Sequence, residues 1–389
     1  MSRIKLIRIT TVPISLKTLL KGQHRFMSHN GFEVVGVSSQ GNELKEIQLD
    51  EGIRVVPLEM TRTISPIKDI ESLIAFYKLC KKEKPLIVHS HTPKAGIVGM
   101  LGAKLAGVPI RLHTVAGLPL MEATGTKRRV LNWVEKLTYA AATKVYPNSQ
   151  GLYDFIIQEK FVATSKLKVI AQGSSNGIDT AFFSKEAIDS SFVEQLKNEL
   201  GFSSSDFIYV FVGRLVGDKG INELIEAFII ISKHNVHAKL LLVGPLETKL
   251  DPLSKRALLE IEHNENIISV GFQKDVRPYL ALSHALVFPS YREGFPNVVM
   301  QAGAMELPCI VSNINGCNEI IEEGVNGLII PVKNVDAIVN AMLTVLREIE
   351  VYNRLKKNSR RMIVERYEQK VVWEALLTEY TDLIQQYKS

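Results

Sequence analysis

A carboxylate stands just before a predicted helix N-terminus in the second half of the chain. The apolar run 285–289 is typical of a buried strand, and Glu293 lies in the short loop that follows it. Pro296 suits the first position of the helix, because an N–H at that position would be unpaired in any residue. The other N–H groups of such a terminus and the helix dipole attract an anion, which Glu293 itself would repel. The stretch therefore predicts a ligand with an anionic part and neutral hydroxyls, and a nucleotide sugar has both.

A glycine-rich loop with two cations follows a second apolar run, 207–212. The loop carries Arg214 and Lys219 between Gly213 and Gly220. Glycine lets the backbone approach a ligand closely, and the forked guanidinium of arginine binds phosphate oxygens in pairs. Two cations at the mouth of such a loop indicate a diphosphate-binding site.

Together these two stretches resemble the signature of glycosyltransferase family 4, whose members are retaining enzymes with the GT-B fold. The family pattern is a glutamate, seven residues and a second glutamate. Glu293 stands at the first position, whereas Gln301 replaces the second carboxylate. In the family the first carboxylate contacts the donor sugar and the second contacts the ribose hydroxyls. The resemblance therefore implies that Glu293 is a catalytic residue that orients the sugar, and that Gln301 bonds the ribose as a neutral group.

The resemblance also implies roles for residues elsewhere in the chain. Residues that would bind the donor diphosphate are Arg214, Lys219, Gly22, Phe295, Pro296 and Asn297. Those that would contact the base are Phe272 and Gln273. His113, near the end of a predicted strand, would be a second catalytic residue close to the donor sugar, and a structural histidine fits the same position equally well.

Composition and charge exclude several broad classes of protein. The chain has 389 residues, of which 46% are hydrophobic, so it is long enough for two or three globular domains. Its three cysteines, Cys80, Cys309 and Cys317, match neither a metal site nor a disulfide framework, and a reducing compartment is expected. No apolar run reaches the roughly 20 residues that span a bilayer, and no signal-peptide pattern is expected at the start. The net charge of +6 is compatible with anionic partners.

Predicted strands and helices alternate along the chain. Strands are expected at 4–9, 33–37, 86–89, 110–115, 207–212, 239–243, 267–270, 285–288 and 309–312, with helices at 67–82, 96–105 and 185–201. This alternation predicts the α/β class, with parallel sheets covered by helices. We expect two doubly wound, Rossmann-like domains facing each other across a cleft, which is the GT-B arrangement. By resemblance, residues 1–185 form an acceptor-binding domain and residues 186–366 form a nucleotide-sugar-binding domain. Residues 367–389 form a C-terminal helix that crosses back to the first domain.

Neither a nicotinamide cofactor nor a metal is expected. The dinucleotide fingerprint would place Gly-x-Gly-x-x-Gly directly after the first strand, but residues 10–23 contain a single glycine, Gly22. The sequence has no Asp-x-Asp, and His89 and His91 have no evident third partner for a metal site. The resemblance implies a metal-independent enzyme without a cofactor, which takes a UDP-sugar as its co-substrate.

A predicted amphipathic helix at 124–139 has a basic first turn and an apolar face with Trp133 and Leu137. Such a helix suggests peripheral contact with an anionic membrane, although its apolar face would equally pack on its own domain. The resemblance implies a polyprenyl-diphosphate-linked saccharide as acceptor, in the assembly of bacterial capsule, O-antigen or other glycans. The expected location is the cytoplasm, peripheral on the inner face of the cytoplasmic membrane, and no nucleic-acid partner is expected.

Two alternative functions remain open at this point. A nucleotide-sugar epimerase of the same fold would share the two-domain architecture. A non-catalytic protein that binds nucleotide sugars is compatible with Gln301, which stands where the family has a carboxylate.

Overall fold

The computed structural model describes residues 3–61, 63, 65–118, 120, 123–249 and 251–389. The chain divides into two compact units. The first runs to Gly177 and also includes Lys370–Ser389, and the second is Ile178–Gln369. The first unit ends before the predicted boundary at 185, because the N–H of Ile178 donates to the carbonyl oxygen of Tyr367 over 2.8 Å.

The first unit is built on a six-stranded sheet in which all neighbouring strands are parallel. Its strands are β1 (Ile4–Ile9), β2 (Phe32–Ser38), β3 (Arg54–Pro57), β4 (Ile87–Ser90), β5 (Ile110–Val115) and β6 (Lys144–Pro147). Their order in the sheet is β3-β2-β1-β4-β5-β6. The helices that alternate with them are α1 (Pro13–Leu19), α2 (Gln23–His29), α3 (Glu43–Glu51), α4 (Pro66–Glu83), α5 (Pro93–Ala106), α6 (Gly125–Ala141) and α7 (Gln150–Gln158).

The second unit repeats this plan. Its strands are β7 (Phe207–Val212), β8 (Ala238–Val243), β9 (Ile267–Ser269), β10 (Ala285–Phe288), β11 (Cys309–Ser312) and β12 (Gly327–Ile330), in the order β12-β11-β10-β7-β8-β9. Its helices are α8 (Ser190–Glu199), α9 (Ile221–Ser232), α10 (Lys255–His263), α11 (Arg277–Ala281), α12 (Asn297–Ala304), α13 (Cys317–Ile320), α14 (Val335–Arg347) and α15 (Ile349–Tyr367). The last helix of the chain, α16 (Gln369–Lys388), packs on the first sheet through Leu376, Tyr380 and Ile384.

Apolar side chains cover both faces of the first sheet. Along β1, Leu6 belongs to the cluster under α1, α2, α3 and α16, whereas Ile7 belongs to the cluster under α4 to α7. Strands buried on both faces are continuous apolar runs, as is usual for parallel sheets. The predicted doubly wound α/β architecture is therefore confirmed for both units.

Each sheet has one switch point, where the strand order reverses direction. It lies between β1 and β4 in the first sheet and between β7 and β10 in the second. In open α/β sheets, ligands bind beyond the carboxyl ends of the strands at this point. The order of the strands thus indicates one candidate ligand position in each unit. Within the described part of the chain, no helix is long and apolar enough to cross a membrane.

Candidate functional site

Two loops flank the switch point of the second sheet, one after β7 and one after β10. The first loop carries Lys219 and the second carries Glu293, and Nζ of Lys219 donates to Oε1 of Glu293. The two side chains are largely buried, with 17% and 16% of their surface exposed. An ion pair in such a position is screened by salt less than a surface pair. The structure therefore brings together the residue predicted to orient the sugar and one predicted to bind the diphosphate.

The same two loops are tied together beside this pair. Nη2 of Arg292 donates to Oδ2 of Asp218 over 2.7 Å, and the N–H of Tyr291 donates to the carbonyl oxygen of Asp218 over 2.9 Å. Gly220, with φ at +70°, comes so close to the second loop that a Cβ would lie 2.1 Å from the carbonyl oxygen of Pro289. Only glycine combines this conformation with this approach. The local fold thus sets the first loop firmly against the second.

A third loop, after β11, holds the Glu293 loop from another side. Nδ2 of Asn315 donates to the carbonyl oxygen of Gly294 over 2.6 Å. Gly316 has φ at +75°, and a Cβ there would lie 2.4 Å from the same oxygen. Burial, with the Glu293 carboxylate nearby, raises the pKa of the Cys317 thiol well above its usual value. Sequence reasoning did not assign this loop to the site, although an Asn-Gly pair is a signal for a turn with positive φ.

Helix α12 begins directly after the Glu293 loop. Pro296 is its N-cap residue, with φ at −76° and ψ at 109°, and not its first helical residue as predicted. No side chain among the described residues caps this terminus, and Asn297 is exposed. The N–H groups of an uncapped helix N-terminus favour an anion. Gln301 lies one turn further along on the same face as Asn297, so one ligand could contact both side chains.

Arg214 and Phe295 offer different groups to a ligand. Arg214 is exposed in the loop after β7, and its guanidinium makes no hydrogen bond or ion pair with a residue that the structure describes. The ring of Phe295 packs edge-on against Tyr367, with the centroids 5.4 Å apart. Arg214 can therefore bind a ligand through its side chain without losing a hydrogen bond or ion pair to a described residue. Phe295 would contact a ligand through its backbone, because its ring is packed.

Phe272 and Gln273 belong to the loop after β9, which β8 separates from β7 in the sheet. They follow β9, the edge strand of the second sheet, and no hydrogen bond or ring contact between described residues joins them to Lys219 or Glu293. The side chain of Phe272 is 74% exposed, and Nε2 of Gln273 donates to the carbonyl oxygen of Val270 over 2.8 Å. An exposed ring at this edge is suited to stacking on a planar ligand.

Gly22 belongs to the first unit, and its amide is already bonded. Its N–H donates to Oε1 of Glu51 over 2.6 Å. It has φ at +79°, and a Cβ there would lie 2.5 Å from the ring of Trp373. The close approach of Trp373 accounts for a glycine at this position, and a diphosphate would have to replace Glu51 as partner of the amide.

His113 also belongs to the first unit and lies inside β5, not beyond its end. Nδ1 of His113 is 2.8 Å from Oγ of Ser90, and a Cβ on Gly96 would lie 2.6 Å from Cε1 of the ring. Burial lowers the pKa of His113 to about 4, so the ring is neutral near pH 7. These contacts hold the ring within the first unit, and a contact between His113 and the donor sugar stays a prediction.

Two family models match the chain, one in each half. The model described as "Glycosyl transferase 4-like domain" matches residues 25–173, and "Glycosyl transferases group 1" matches residues 192–362. The first match lies within the first unit and the second within the second unit. The models therefore divide the chain in the same way as its compact units.

Named proteins resemble the chain over nearly its whole length. The capsular polysaccharide biosynthesis glycosyltransferase CapM of Staphylococcus aureus is 33% identical over 98% of each chain. The UDP-Gal:alpha-D-GlcNAc-diphosphoundecaprenol alpha-1,3-galactosyltransferase of Escherichia coli is 31% identical over 93% of each chain. Among solved structures, Anabaena HepE in complex with UDP and glucose has a TM-score of 0.80 at 17% identity, covering 97% of this chain and 100% of its own. The chain is therefore a glycosyltransferase, and it belongs to the family 4 type with the GT-B fold.

Proposed function

We propose that this enzyme transfers an N-acetylhexosamine or a hexose from a UDP-sugar to a polyprenyl-diphosphate-linked saccharide. The observation that carries the proposal is the Lys219–Glu293 pair beside the uncapped start of α12. A diphosphate is attracted by the ammonium and the helix N–H groups, and the hydroxyls of a sugar can donate to the carboxylate. The site thus offers complementary groups to both parts of a nucleotide sugar.

The names of two relatives support the substrate classes. The Staphylococcus aureus relative is named for capsular polysaccharide biosynthesis, and the Escherichia coli relative for UDP-Gal and GlcNAc-diphosphoundecaprenol. Both match this chain over more than nine-tenths of its length. We place the reaction in the assembly of bacterial surface polysaccharide or glycan for this reason.

The reaction breaks the bond between the anomeric carbon and a phosphate oxygen, so negative charge develops on the leaving diphosphate. Arg214, Lys219 and the N–H groups of α12 neutralise that charge in the proposed mechanism. Each donor of this kind typically contributes about 2.7–4 kcal/mol to the stability of the transition state.

Glu293 orients the sugar in the proposed mechanism, and Gln301 forms a hydrogen bond with the ribose. Cationic side chains take the role that a metal has in other transferases, and the configuration of the anomeric carbon is retained, as the family resemblance implies.

Helix α6 is the proposed contact with the membrane that holds a lipid-linked acceptor. Trp133 on this helix is 65% exposed, Leu137 is half-buried, and Lys127, Arg129 and Lys136 are exposed. An exposed aromatic ring among cations is suited to the headgroup region of an anionic bilayer. The enzyme would then be a peripheral protein on the inner face of the cytoplasmic membrane.

Ligand-dependent thermal unfolding tests the donor assignment. UDP, GDP, ADP and NAD are compared, each with and without EDTA. A ligand at 100 times its Kd adds roughly 2.7 kcal/mol to the free energy of unfolding. We expect stabilisation by UDP that EDTA leaves unchanged. Stabilisation by NAD, or by none of the four, would contradict a UDP-sugar donor.

Product analysis separates a transferase from an epimerase of the same fold. The enzyme is incubated with a UDP-sugar, with and without a polyprenyl-diphosphate-linked saccharide. We expect a longer saccharide and UDP when the acceptor is present. Conversion of the UDP-sugar into its epimer without an acceptor would favour the epimerase.

A further inference from the structure

Arg8 is buried in the first sheet without a counter-ion among the described residues. Its side chain is fully buried in β1, and Nη2 donates to the hydroxyl of Tyr380 over 3.3 Å. The other two guanidinium nitrogens, Nε and Nη1, have no hydrogen-bond partner among those residues. A buried guanidinium is normally paired, because its removal from water is costly. Its positive charge is therefore not balanced by any residue that the structure describes.

The groups around Arg8 carry no negative charge at pH 7. They form the Arg8 cluster, which consists of Arg8, His24, His89, His91 and Tyr380. Burial and the nearby guanidinium lower the pKa of His24 to about 3. Burial and neighbouring cationic groups also hold the pKa values of His89 and His91 well below the ordinary value, and burial raises that of Tyr380. The cluster is therefore one positive charge among neutral side chains.

Two buried carboxylates of this unit are bonded to other groups. Glu379 accepts from the hydroxyl of Tyr146 over 3.0 Å and pairs with Lys168. Glu51 accepts from two backbone N–H groups at the start of α2. Neither carboxylate bonds Arg8, so the positive charge of the cluster is not compensated by them.

His91 extends the cluster to a cavity at the carboxyl ends of the strands. Both nitrogens of its ring are buried and have no partner among the described residues, and the ring lies 4.1 Å from that of His89. His91 lines a cavity of about 20 Å³ together with Asn148 and Ser175, whose Oδ1 and Oγ are also unpartnered there. That volume admits one water-sized group, so a single oxygen of an anion fits. Ser175 is partly exposed, which places this cavity close to the surface.

The cluster lies at the switch point of the first sheet. Arg8 is on β1, and His89 and His91 are at the end of β4, the strand on the other side of that point. The corresponding strands of the second sheet, β7 and β10, carry the loops of the Lys219–Glu293 pair. Because open α/β sheets bind ligands at this position, the two units place their cationic groups at equivalent points.

We propose that the Arg8 cluster binds a phosphate group of the acceptor. His91 donates a hydrogen bond to one phosphate oxygen in the cavity, and the uncompensated charge of Arg8 attracts the anion. The identification of the phosphate as that of the acceptor rests on the proposed function. Binding of an anion beside His91 does not, since it follows from the unpartnered polar groups of the cavity and the uncompensated charge of Arg8.

Inorganic pyrophosphate is the probe for this site, measured by calorimetry on the full chain. UDP is kept at saturation, so that pyrophosphate cannot use the donor site. We expect pyrophosphate to bind the native enzyme, and Arg8→Met to weaken this binding at least tenfold while the Kd of UDP stays unchanged. No binding to the native enzyme, or equal binding to the variant, would overturn the proposal. A failure of UDP to bind would instead count against the proposed function.

Arg111→Met is the matched control. Arg111 lies in β5 of the same sheet, and its guanidinium donates to the carbonyl oxygens of Val108 and Ala141 over 2.6 and 2.7 Å. The variant removes the same charge from an arginine whose Nε and Nη1 are bonded to carbonyl oxygens, so we expect no change in pyrophosphate binding. If Arg8→Met does not fold, pyrophosphate binding is measured with His91→Gln in its place. Binding of pyrophosphate to the native enzyme tests the site in either case.

Kinetics distinguish a phosphate of the acceptor from a free anion. With a polyprenyl-diphosphate-linked saccharide, we expect Arg8→Met to raise the KM of the acceptor at least tenfold. The KM of the UDP-sugar and the acceptor-independent hydrolysis of the donor should not change. An unchanged acceptor KM, with pyrophosphate binding lost, would show that the site takes a free anion and would overturn the assignment to the acceptor.

Discussion

Lys219 and Glu293 are 74 positions apart in the chain, and each holds the other in place. Because both are largely buried, removal of one leaves the other charge without its partner in a poorly hydrated position. The loss of Glu293 would release Lys219 to a phosphate, whereas the loss of Lys219 would leave a carboxylate facing it. The two substitutions should therefore affect nucleotide binding in opposite directions.

The first prediction concerns Glu293→Ala. We expect its rate of transfer to fall about 10²–10³-fold, which corresponds to about 2.7–4 kcal/mol. The affinity for UDP should be unchanged or higher, because Lys219 is then free of the carboxylate. Transfer is followed by release of UDP, and binding by calorimetry. Glu262→Ala, which removes an exposed carboxylate from α10, should retain full activity. Wild-type activity in Glu293→Ala would refute the assignment of this residue.

The second prediction concerns Gln301→Glu, which restores the carboxylate of the family pattern. Amide and carboxylate oxygens both accept hydrogen bonds from ribose hydroxyls, so we expect the variant to be active. Its KM for the UDP-sugar should change by less than about tenfold, or ~1.4 kcal/mol. Steady-state kinetics decide this, and loss of transfer would show that the site requires a neutral group at this position.

Sequence reasoning located Lys219 and Glu293 because their signals are local: glycines after a strand, and a proline before a helix. Asn315 was missed because its bond to the carbonyl oxygen of Gly294 joins loops from different strands. The packing of Gly22 against Trp373 likewise depends on a segment far along the chain. The ligand contacts proposed for all of these residues stay predictions.

At the scale of elements, Gly316 sets the distance between the loops after β10 and β11. An alanine would place its Cβ 2.4 Å from the carbonyl oxygen of Gly294, at a φ of +75°. The third prediction is that Gly316→Ala lowers the free energy of unfolding by about 1–3 kcal/mol, as overpacking usually does. It should also weaken UDP binding, because the Glu293 loop must shift. Urea unfolding and calorimetry measure the two effects.

Gly324→Ala is the control for the backbone conformation. Gly324 has φ at +71°, but nothing lies within 4 Å of a Cβ there. The control therefore carries the cost of positive φ, about 1 kcal/mol, without the clash. Equal losses of stability in both variants would mean that the close approach at Gly316 has no effect of its own.

The strands that the sequence did not predict are β3, β6 and β12, which are three of the four edge strands. The fourth edge strand, β9, was predicted at 267–270. Each of the other three has four residues, and β3 is partly or fully exposed along its length. Central strands are buried on both faces and are continuous apolar runs, whereas β3 and β6 mix apolar and polar residues, and β12 begins with a glycine. Hydrophobicity alone therefore identified the central strands of both sheets and one edge strand, β9.

Helix α6 carries the fourth prediction. Trp133→Ser should weaken binding to vesicles that contain anionic phosphatidylglycerol by about tenfold, or ~1.4 kcal/mol, because the exposed ring is lost from the bilayer interface. Cosedimentation with vesicles measures the binding. Phe192→Ser removes an apolar side chain that is 51% exposed on α8 of the second unit, and it should bind as the native enzyme does. Equal binding of Trp133→Ser would exclude this helix as the contact.

At the scale of the molecule, buried histidines are distributed unequally between the units. Those with a lowered pKa in the first unit are His24, His89, His91 and His113, and His284 is the corresponding residue of the second unit. Burial is the largest cause for each of them. In the unfolded chain these residues have a pKa near 6.5. Below that pH, the unfolded chain binds protons that the folded chain does not bind.

The fifth prediction is that stability falls steeply as the pH decreases from 7.5 to 5.5, and more steeply in the first unit. Each such histidine contributes a slope of up to about 1.4 kcal/mol per pH unit below pH 6.5. Glu135 of the first unit opposes them, because burial raises its pKa to about 7, and its contribution to stability decreases as the pH rises. Because four histidines outweigh one carboxyl group, the free energy of unfolding still depends more steeply on pH in the first unit.

The two tryptophans make this difference measurable, because Trp133 and Trp373 both belong to the first unit. Urea unfolding is followed by tryptophan fluorescence for that unit and by far-ultraviolet circular dichroism for both, in a buffer without phosphate. We expect the urea midpoint measured by fluorescence to decrease as the pH is lowered. The part of the dichroism transition that reports the second unit should decrease less. His113→Gln should reduce the slope, whereas His263→Gln, at an exposed position in α10, should leave it unchanged. A midpoint that is constant or rises toward pH 5.5 would mean that these histidines are protonated in the folded chain, and that the Arg8 cluster is more hydrated than its burial indicates.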